Sequence, residues 1–576
     1  MSKKHFNARA PLTVAFREFH GISSPTSEQN HSPSQIVNFR IGEDGSLQKR
    51  CGTQDLYTLS RTMRTHWSGM LNGSFHLYFL AGEVIYLGLL LPNSYRRIGT
   101  VTTTEGPATF FCLQGTLYLN DGENLYCING TEVREAIGHV PLYGKDWDNN
   151  EMGEVNEPFN ILNPHVRISY HVSDPPSIFL RVPKTIRSVE AVWRNGVRLS
   201  EEEYRHNTEF NTIDVPGLEA DDRLDAYLTF EYDTTEQRRL FCTTQGSIYF
   251  GSPEKSRTFF FGSRESNTIF CAEYVSADDQ EHACREYTAD PLYLPEGNEF
   301  RIGAQHYPFV GALRHRDNLL LFSEEDTWLG SVDSTGHNPL PTIMINSKLG
   351  CISPYACVLA GNDPITVGRH GIYLWKSTDP DLTHRDAILI SEPLRSIFTP
   401  EALQTVSLFY EPRRDELWVA VPSREEIWIR SMKRGEWFCF AGIPADRFFD
   451  ADGQVGYYYG SKIGYFREDF FFDFDRNGKS TAIQAVYETP PLNFGTERKK
   501  NLSYLTLDAD GDGAVFYLRF CMDEWQSVRT LTYDQLGRLH GTIPLRLRSG
   551  RFQNASLEIK VENGTPIIHS LTLRAH

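Results

Sequence analysis

Two acidic stretches come closest to a metal site. Asp473, Asp475, Asn477 and Gly478 match the first half of a calcium loop, and Asp508, Asp510, Asp512 and Gly513 repeat the match. Such a loop closes on a bidentate Glu at its twelfth position. Those positions hold Gln484 and Arg519, so both stretches read as hairpin turns rich in Asp and Gly. The run Glu324-Glu325-Asp326 suits a glycosidase only if it faces a cleft. Between two strand-like runs it reads as an exposed turn. Trp375, Trp418, Trp428 and Trp437 could line a sugar site, but apolar neighbours at strand positions point to core. His315, within Arg314-His315-Arg316-Asp317, reads as a solvated turn residue.

Other reactive arrangements are missing from the sequence. It contains no serine nucleophile elbow, HExxH pair, phosphate loop or dinucleotide fingerprint. There are ten Cys without a CxxC, the closest pair being Cys351 and Cys357. Residues Met1 to Val14 are polar and lack the apolar core of a signal peptide. The thiols are therefore expected to be reduced and buried. On the same ground the Asn-x-Ser/Thr sites at Asn72, Asn129, Asn501, Asn554 and Asn563 carry little meaning. No catalytic, cofactor-binding or metal-binding residue is assigned, and the chain reads as non-enzymatic.

The elements that would position any site are strands. Of 576 residues, 40% are hydrophobic, 23% charged and 12% aromatic, with 36 Phe and 27 Tyr. That balance is globular and suits half-buried pleated surfaces. The formal charge of −17 argues against a protein that grips nucleic acid by neutralising phosphates. It leaves room for one past which nucleic acid slides. The longest apolar stretch, Phe75 to Leu91, is broken by Gly82, Glu83 and Gly88 into two strand-like pieces, so no transmembrane helix is expected.

Helical periodicity is scarce, with short candidates at Ser200–Tyr204 and Pro400–Thr405. A first hairpin joins Ile36–Ile41 to Leu47–Arg50. Then one unit recurs: an apolar run, a polar or Gly turn, and a second run carrying an aromatic. It appears at His76–Leu80 with Val84–Leu87, Thr116–Leu119 with Asn124–Ile128, and Ser247–Phe250 with Thr258–Phe261. It returns at Asn318–Phe322 with Thr327–Leu329, and at Ile365–Val367 with Gly371–Trp375. The last two are Glu416–Val421 with Glu426–Ile429, and Gln454–Tyr459 with Lys462–Phe466. Spacings near 40–50 residues are those of a four-stranded propeller blade.

Two segments break the rhythm. Residues 140–235 hold 9 basic and 18 acidic residues, with an Asn195-Gly196 hairpin turn, and read as an inserted acidic β-sandwich. Residues 481–576 hold 11 basic and 10 acidic residues and alternate cleanly, which predicts a C-terminal β-sandwich. The expected organisation is all-β. Residues 1–139 carry the N-terminal hairpin and first propeller blades, 140–235 the insertion, 236–480 the remaining blades, and 481–576 the last sandwich.

Phe19-His20-Gly21-Ile22-Ser23, then Asn38-Phe39-Arg40-Ile41, then Asp44-Gly45-Ser46-Leu47-Gln48-Lys49-Arg50 resemble the opening of bacteriophage tail nozzle proteins (tail hub, tail tubular protein B-like, of short-tailed phages). Cys51 stands where Pro would be expected. Arg301–Gly330 and Tyr487–Gly495 also resemble these proteins, and the resemblance extends, only in patches, over about two thirds of the chain. The resemblance implies a homo-hexameric ring in the virion tail, assembled in the host cytoplasm. It implies portal-side adaptor proteins and tail fibres or a needle as partners. It further implies retention of packaged double-stranded DNA and its passage without specific binding or membrane insertion. Acidic side chains on the lumen would suit that passage. The alternatives are a carbohydrate-binding or carbohydrate-degrading propeller, such as a receptor-binding module, and a propeller scaffold for other proteins.

Overall fold

The computed structural model describes residues 11–23, 32–149, 151–173, 179–251, 256–263, 267–273, 292–303, 308–331, 340–377, 385–510, 516–522, 530–533, 542–546, 551–562 and 564–576. The chain is all-β: a propeller, a sandwich inserted into it, and a second sandwich built from both ends of the chain.

Six of the seven recurrent hairpins are the central pair of a four-stranded antiparallel unit, and the other, Ser247–Phe250 with Thr258–Phe261, is the first pair of its sheet. Blade 1 spans residues 63–100, blade 2 109–135, blade 3 246–301, blade 4 311–346 and blade 5 357–389. Blade 6 spans 407–441. Blade 7 takes three strands from 447–467 and its outermost from Gly52–Thr58, so Thr58 faces Lys462 and Gly52 faces Arg467. The first strands of successive blades touch in chain order, and that of blade 7 touches that of blade 1. The propeller is thus a closed ring of seven blades.

The inserted sandwich packs a five-stranded sheet against a three-stranded one over residues 142–230. Its core gathers Trp147, Phe159, Tyr170 and Phe230. Asn195 and Gly196 both have positive φ (50° and 78°), the backbone that a two-residue hairpin turn needs. Ser200–Tyr204 is a turn rather than a helix. A helix not expected from the sequence, Thr235–Cys242, leads back into blade 3 and buries Phe241 and Cys242. The second short candidate forms one helical turn, Pro400–Leu403, capped by the Thr399 hydroxyl.

The N-terminal hairpin belongs elsewhere than with the first blades. Phe39–Ile41 and Leu47–Lys49 join a sheet with Ile567–Ala575, Leu502–Asp510 and Thr542–Arg546, and Leu12–Phe16 pairs with Ile567–Ala575. Gln35–Val37 bridges the outer strand of blade 6 to Ala485–Glu488, giving a continuous nine-stranded sheet. Hairpin pairing was readable locally. The partner of the hairpin's apolar face lies some 500 residues away, and no local pattern encodes that.

Candidate functional site

Three places concentrate polar side chains: the joint that closes the propeller, the axial cavity, and a pocket between blades 1 and 2.

The joint is built from the stretch Asn38 to Thr53. Arg50 is 2% exposed. It donates through Nη1 and Nη2 to the two carboxylate oxygens of Asp473 (2.8 and 2.7 Å). Its Nε donates to Asn38 Oδ1 (3.0 Å). Thr53 gives Asp473 Oδ1 its backbone N–H and its hydroxyl, both at 3.0 Å. Asn38, at φ 55°, also accepts the Ala441 N–H (3.0 Å) and donates to the Gln484 carbonyl (2.7 Å). Arg40 pairs with buried Glu416 at 2.9 Å, and the Phe440 ring lies 5.6 and 6.0 Å from the Arg40 and Arg50 guanidiniums. Burial raises the Glu416 carboxyl and the Arg40 cation opposes it. A Cβ on Gly52 would come within 2.0 Å of the Phe472 carbonyl, so only glycine fits there. Asp473 is therefore fully engaged in bonding protein, as a bidentate partner of Arg50. Asp475 caps its own turn, accepting the Asn477 and Lys479 N–H groups at 2.8 Å.

The second acidic stretch falls partly outside the described residues, which exclude Asp512 and Gly513. Asp510 meets His569 at 3.0 Å, and Arg519 lies 3.9 Å from Glu558. Among the described residues, no group of three His, Cys, Asp or Glu is placed to hold a metal ion.

The remaining candidates tie blades together. Glu324 and Glu325 pair with Arg369 of blade 5 at 3.0 and 2.9 Å, while Asp326 accepts the Trp328 indole N–H at 3.0 Å. All four tryptophans are buried. His315 departs from expectation: it is 1% exposed, because as the last residue of strand Gly311–His315 it turns inward opposite Asn318. Cys351 and Cys357 are neighbours, both free. A hydrogen bond with Cys351, then burial, raises the Cys357 thiol. Among the described residues, no helix is long and apolar enough to cross a membrane.

The axial cavity has a volume of about 270 Å³ and takes its lining from the inner strands or their approaches at six blades. It includes His66 from blade 1, Tyr355 and Cys357 from blade 5, Ser407 from blade 6 and Arg447 from blade 7, and no Asp or Glu. His66 Nδ1 is buried without a hydrogen-bond partner, and its ring packs edge-on against Tyr458 at 5.4 Å. Burial, and after it the Arg447 cation, pushes His66 from 6.5 down to about 4. On acidification the unfolded chain takes up this proton near pH 6.5, while the folded chain resists until about pH 4. This group is thus expected to remove on the order of 3 kcal/mol of folding stability as pH falls through that window. Stability curves of the wild type and His66→Phe check it: the difference should shrink steadily from pH 6.5 to 4, and parallel curves would exclude it.

The third place is a polar pocket of about 530 Å³ between blades 1 and 2, lined by Asn72, His76, Gln114, Asn129, Glu132 and Arg134 among others. The His76 ring lies stacked on Tyr78, centroids 5.8 Å apart.

The candidate residues that sequence reasoning passed over are His66, Tyr355 and Arg447. They come from blade 1, the approach to blade 5 and blade 7, so no spacing links them.

No family model matches the chain, and no curated protein matches it. Solved structures similar to it include the AfRom2 CNH domain, at 9% identity and TM-score 0.34, covering 73% of this chain and 99% of that one. Kluyveromyces lactis Hsv2 shares 8% identity at TM-score 0.24, covering 66% and 97%. An exo-beta-1,3-galactanase from Phanerochaete chrysosporium shares 10% identity at TM-score 0.18, covering 81% and 95%.

Proposed function

We propose that the chain is a structural subunit of a ring, the nozzle of a short bacteriophage tail. The observation that carries this reading is a pair of unlike apolar rims on opposite flanks of the propeller. Leu89, Leu91 and Tyr95 stand on the outer edge of blade 1; Ile343, Met344 and Ile388 stand on the outer edges of blades 4 and 5. All six are between 43% and 59% exposed. In a seven-bladed circle, blade 1 lies across from blades 4 and 5. A head-to-tail ring needs two different faces on each subunit, and these two sets of exposed apolar side chains would supply them. Two of the stretches that resemble nozzle proteins, Asn38–Ile41 and Asp44–Arg50, supply Asn38, Arg40 and Arg50 to the closure joint, so what they encode is architecture rather than chemistry. The acidic insertion would keep passing DNA from sticking.

A sugar-binding propeller is the second reading. It is favoured by the pocket between blades 1 and 2, where amides, charged groups and a stacked ring meet. The axial cavity, lined without a carboxylate, offers no acid–base pair for glycoside cleavage.

Single-particle imaging of the purified chain and of isolated tails tests the ring. A six-fold ring with a central channel is expected, and Leu91→Glu or Met344→Glu should each leave monomers. A chain that stays monomeric, is absent from tails and binds a glycan in a manner lost in Gln114→Ala would overturn the ring and leave the sugar reading.

A further inference from the structure

The axial cavity holds a cation that the protein itself does not neutralise. Arg447 forms no ion pair among the described residues. Its Nη1 donates to the Asp446 carbonyl at 3.1 Å. Asp446 turns its own carboxylate elsewhere, accepting the Gly460 N–H at 2.7 Å. The Arg447 guanidinium carbon lies 3.9 Å from the centroid of the Tyr355 ring, which fixes the plane of the fork. Beside it stand the hydroxyls of Thr65 and Thr109 and the imidazole of His66, whose Nδ1 is buried without a partner.

Arg447 is partly exposed, so water reaches it, but it has no counter-charge among the described residues. A ligand that supplies an anion would give the guanidinium that counter-charge. A planar fork matches a planar, two-oxygen anion better than a tetrahedral one, because both N–H···O bonds then lie in one plane. The volume of about 270 Å³ admits a hydroxy acid or a single sugar acid and excludes an oligosaccharide.

We infer that the axial cavity is a binding site for a small hydroxylated carboxylate, its carboxylate held by Arg447 and its hydroxyls by Thr65, Thr109 and His66. The site lies inside one subunit and does not depend on the ring reading.

Titration calorimetry on the full chain tests it, with lactate and glucuronate as probes, and glucose and inorganic phosphate as controls. One carboxylate is expected to bind with one site per chain. Arg447→Met should weaken it by tenfold or more, about the worth of a charged hydrogen bond. Arg447→Lys, which keeps the charge and loses the fork, should fall between. Should Arg447→Met fail to fold, Thr109→Val provides the second variant, with loss of affinity for the hydroxylated probes expected and an unchanged melting curve. The inference is overturned if neither carboxylate binds at millimolar concentration. Equal binding of glucose, binding of phosphate alone, or unaltered affinity in Arg447→Met would overturn it equally.

Discussion

Removing the Asp473 carboxylate, as in Asp473→Ala, is expected to destabilise the chain by about 3 kcal/mol, with no response to calcium or chelator in either protein. The cost comes from what is left behind. Arg50 is 2% exposed, and Asp473 is its only carboxylate partner among the described residues. Stripped of it, the guanidinium sits buried beside the Phe440 ring, and Thr53 loses an acceptor for both its N–H and its hydroxyl. The figure stands at the lower end for broken buried pairs because Asp473 itself is 27% exposed. Replacing both partners, with Arg50→Met and Asp473→Leu, should recover much of the loss, since an apolar pair of similar volume strands no charge. Thermal and denaturant unfolding of the three proteins measures this. A loss below about 0.5 kcal/mol for Asp473→Ala would place the joint among exposed ion pairs. A melting temperature that drops with chelator in the wild type, and no longer does in Asp473→Ala, would make the loop a calcium site after all.

Trp437→Ala carries the second large effect, a destabilisation of about 4 kcal/mol. The side chain is fully buried. Its indole N–H donates to the Ile390 carbonyl at 3.1 Å, its ring meets Phe398 at 5.8 Å, and its backbone exchanges hydrogen bonds with Ile22. The substitution thus opens a cavity where blade 5, blade 6 and the N-terminal segment meet, and it leaves the Ile390 carbonyl without that donor. Calorimetric melting measures the loss. A sugar-lining Trp behaves in the opposite way: its removal leaves the melting curve intact and abolishes glycan binding.

The fold was largely legible because the two central strands of a blade are a local event. Of seven alternating pairs with polar turns, from His76–Leu87 to Gln454–Phe466, six became the middle of a blade and one, Ser247–Phe250 with Thr258–Phe261, its first two strands. Outer strands were harder to see. Thr342–Asn346 and Arg385–Leu389 lie on blade edges, where one side faces solvent and the apolar alternation weakens. The site was less legible still. Asp473 was visible as an acidic turn, but Arg50, its partner, lies 423 residues away. Arg447 looked like any charged strand residue. Its interest arises only when the ring closes and brings Tyr355 and His66 beside it. His315 looked like a solvated residue because its neighbours are charged, and strand pleating alone decided that it points inward.

The way the two ends are knitted together has a consequence for how the protein is made. Lys49 Nζ donates to the carbonyl of Glu562, 513 residues later in the chain, and Leu12 pairs with Ala575. Leu12–Phe16 and Lys49 are made long before the residues they pair with. At translation speeds of 5–20 residues per second they wait roughly half a minute to nearly two minutes for their partners. Pairings so remote in sequence also fold slowly. For most of that wait Gly52–Thr58 has no strand Lys462–Arg467 to pair with, and the propeller remains an open arc. A chain released early never gains Ile567–Ala575 and cannot seat Leu12–Phe16 against it. Removing Ile567–Ala575 is therefore felt at Leu12–Phe16, far away in sequence.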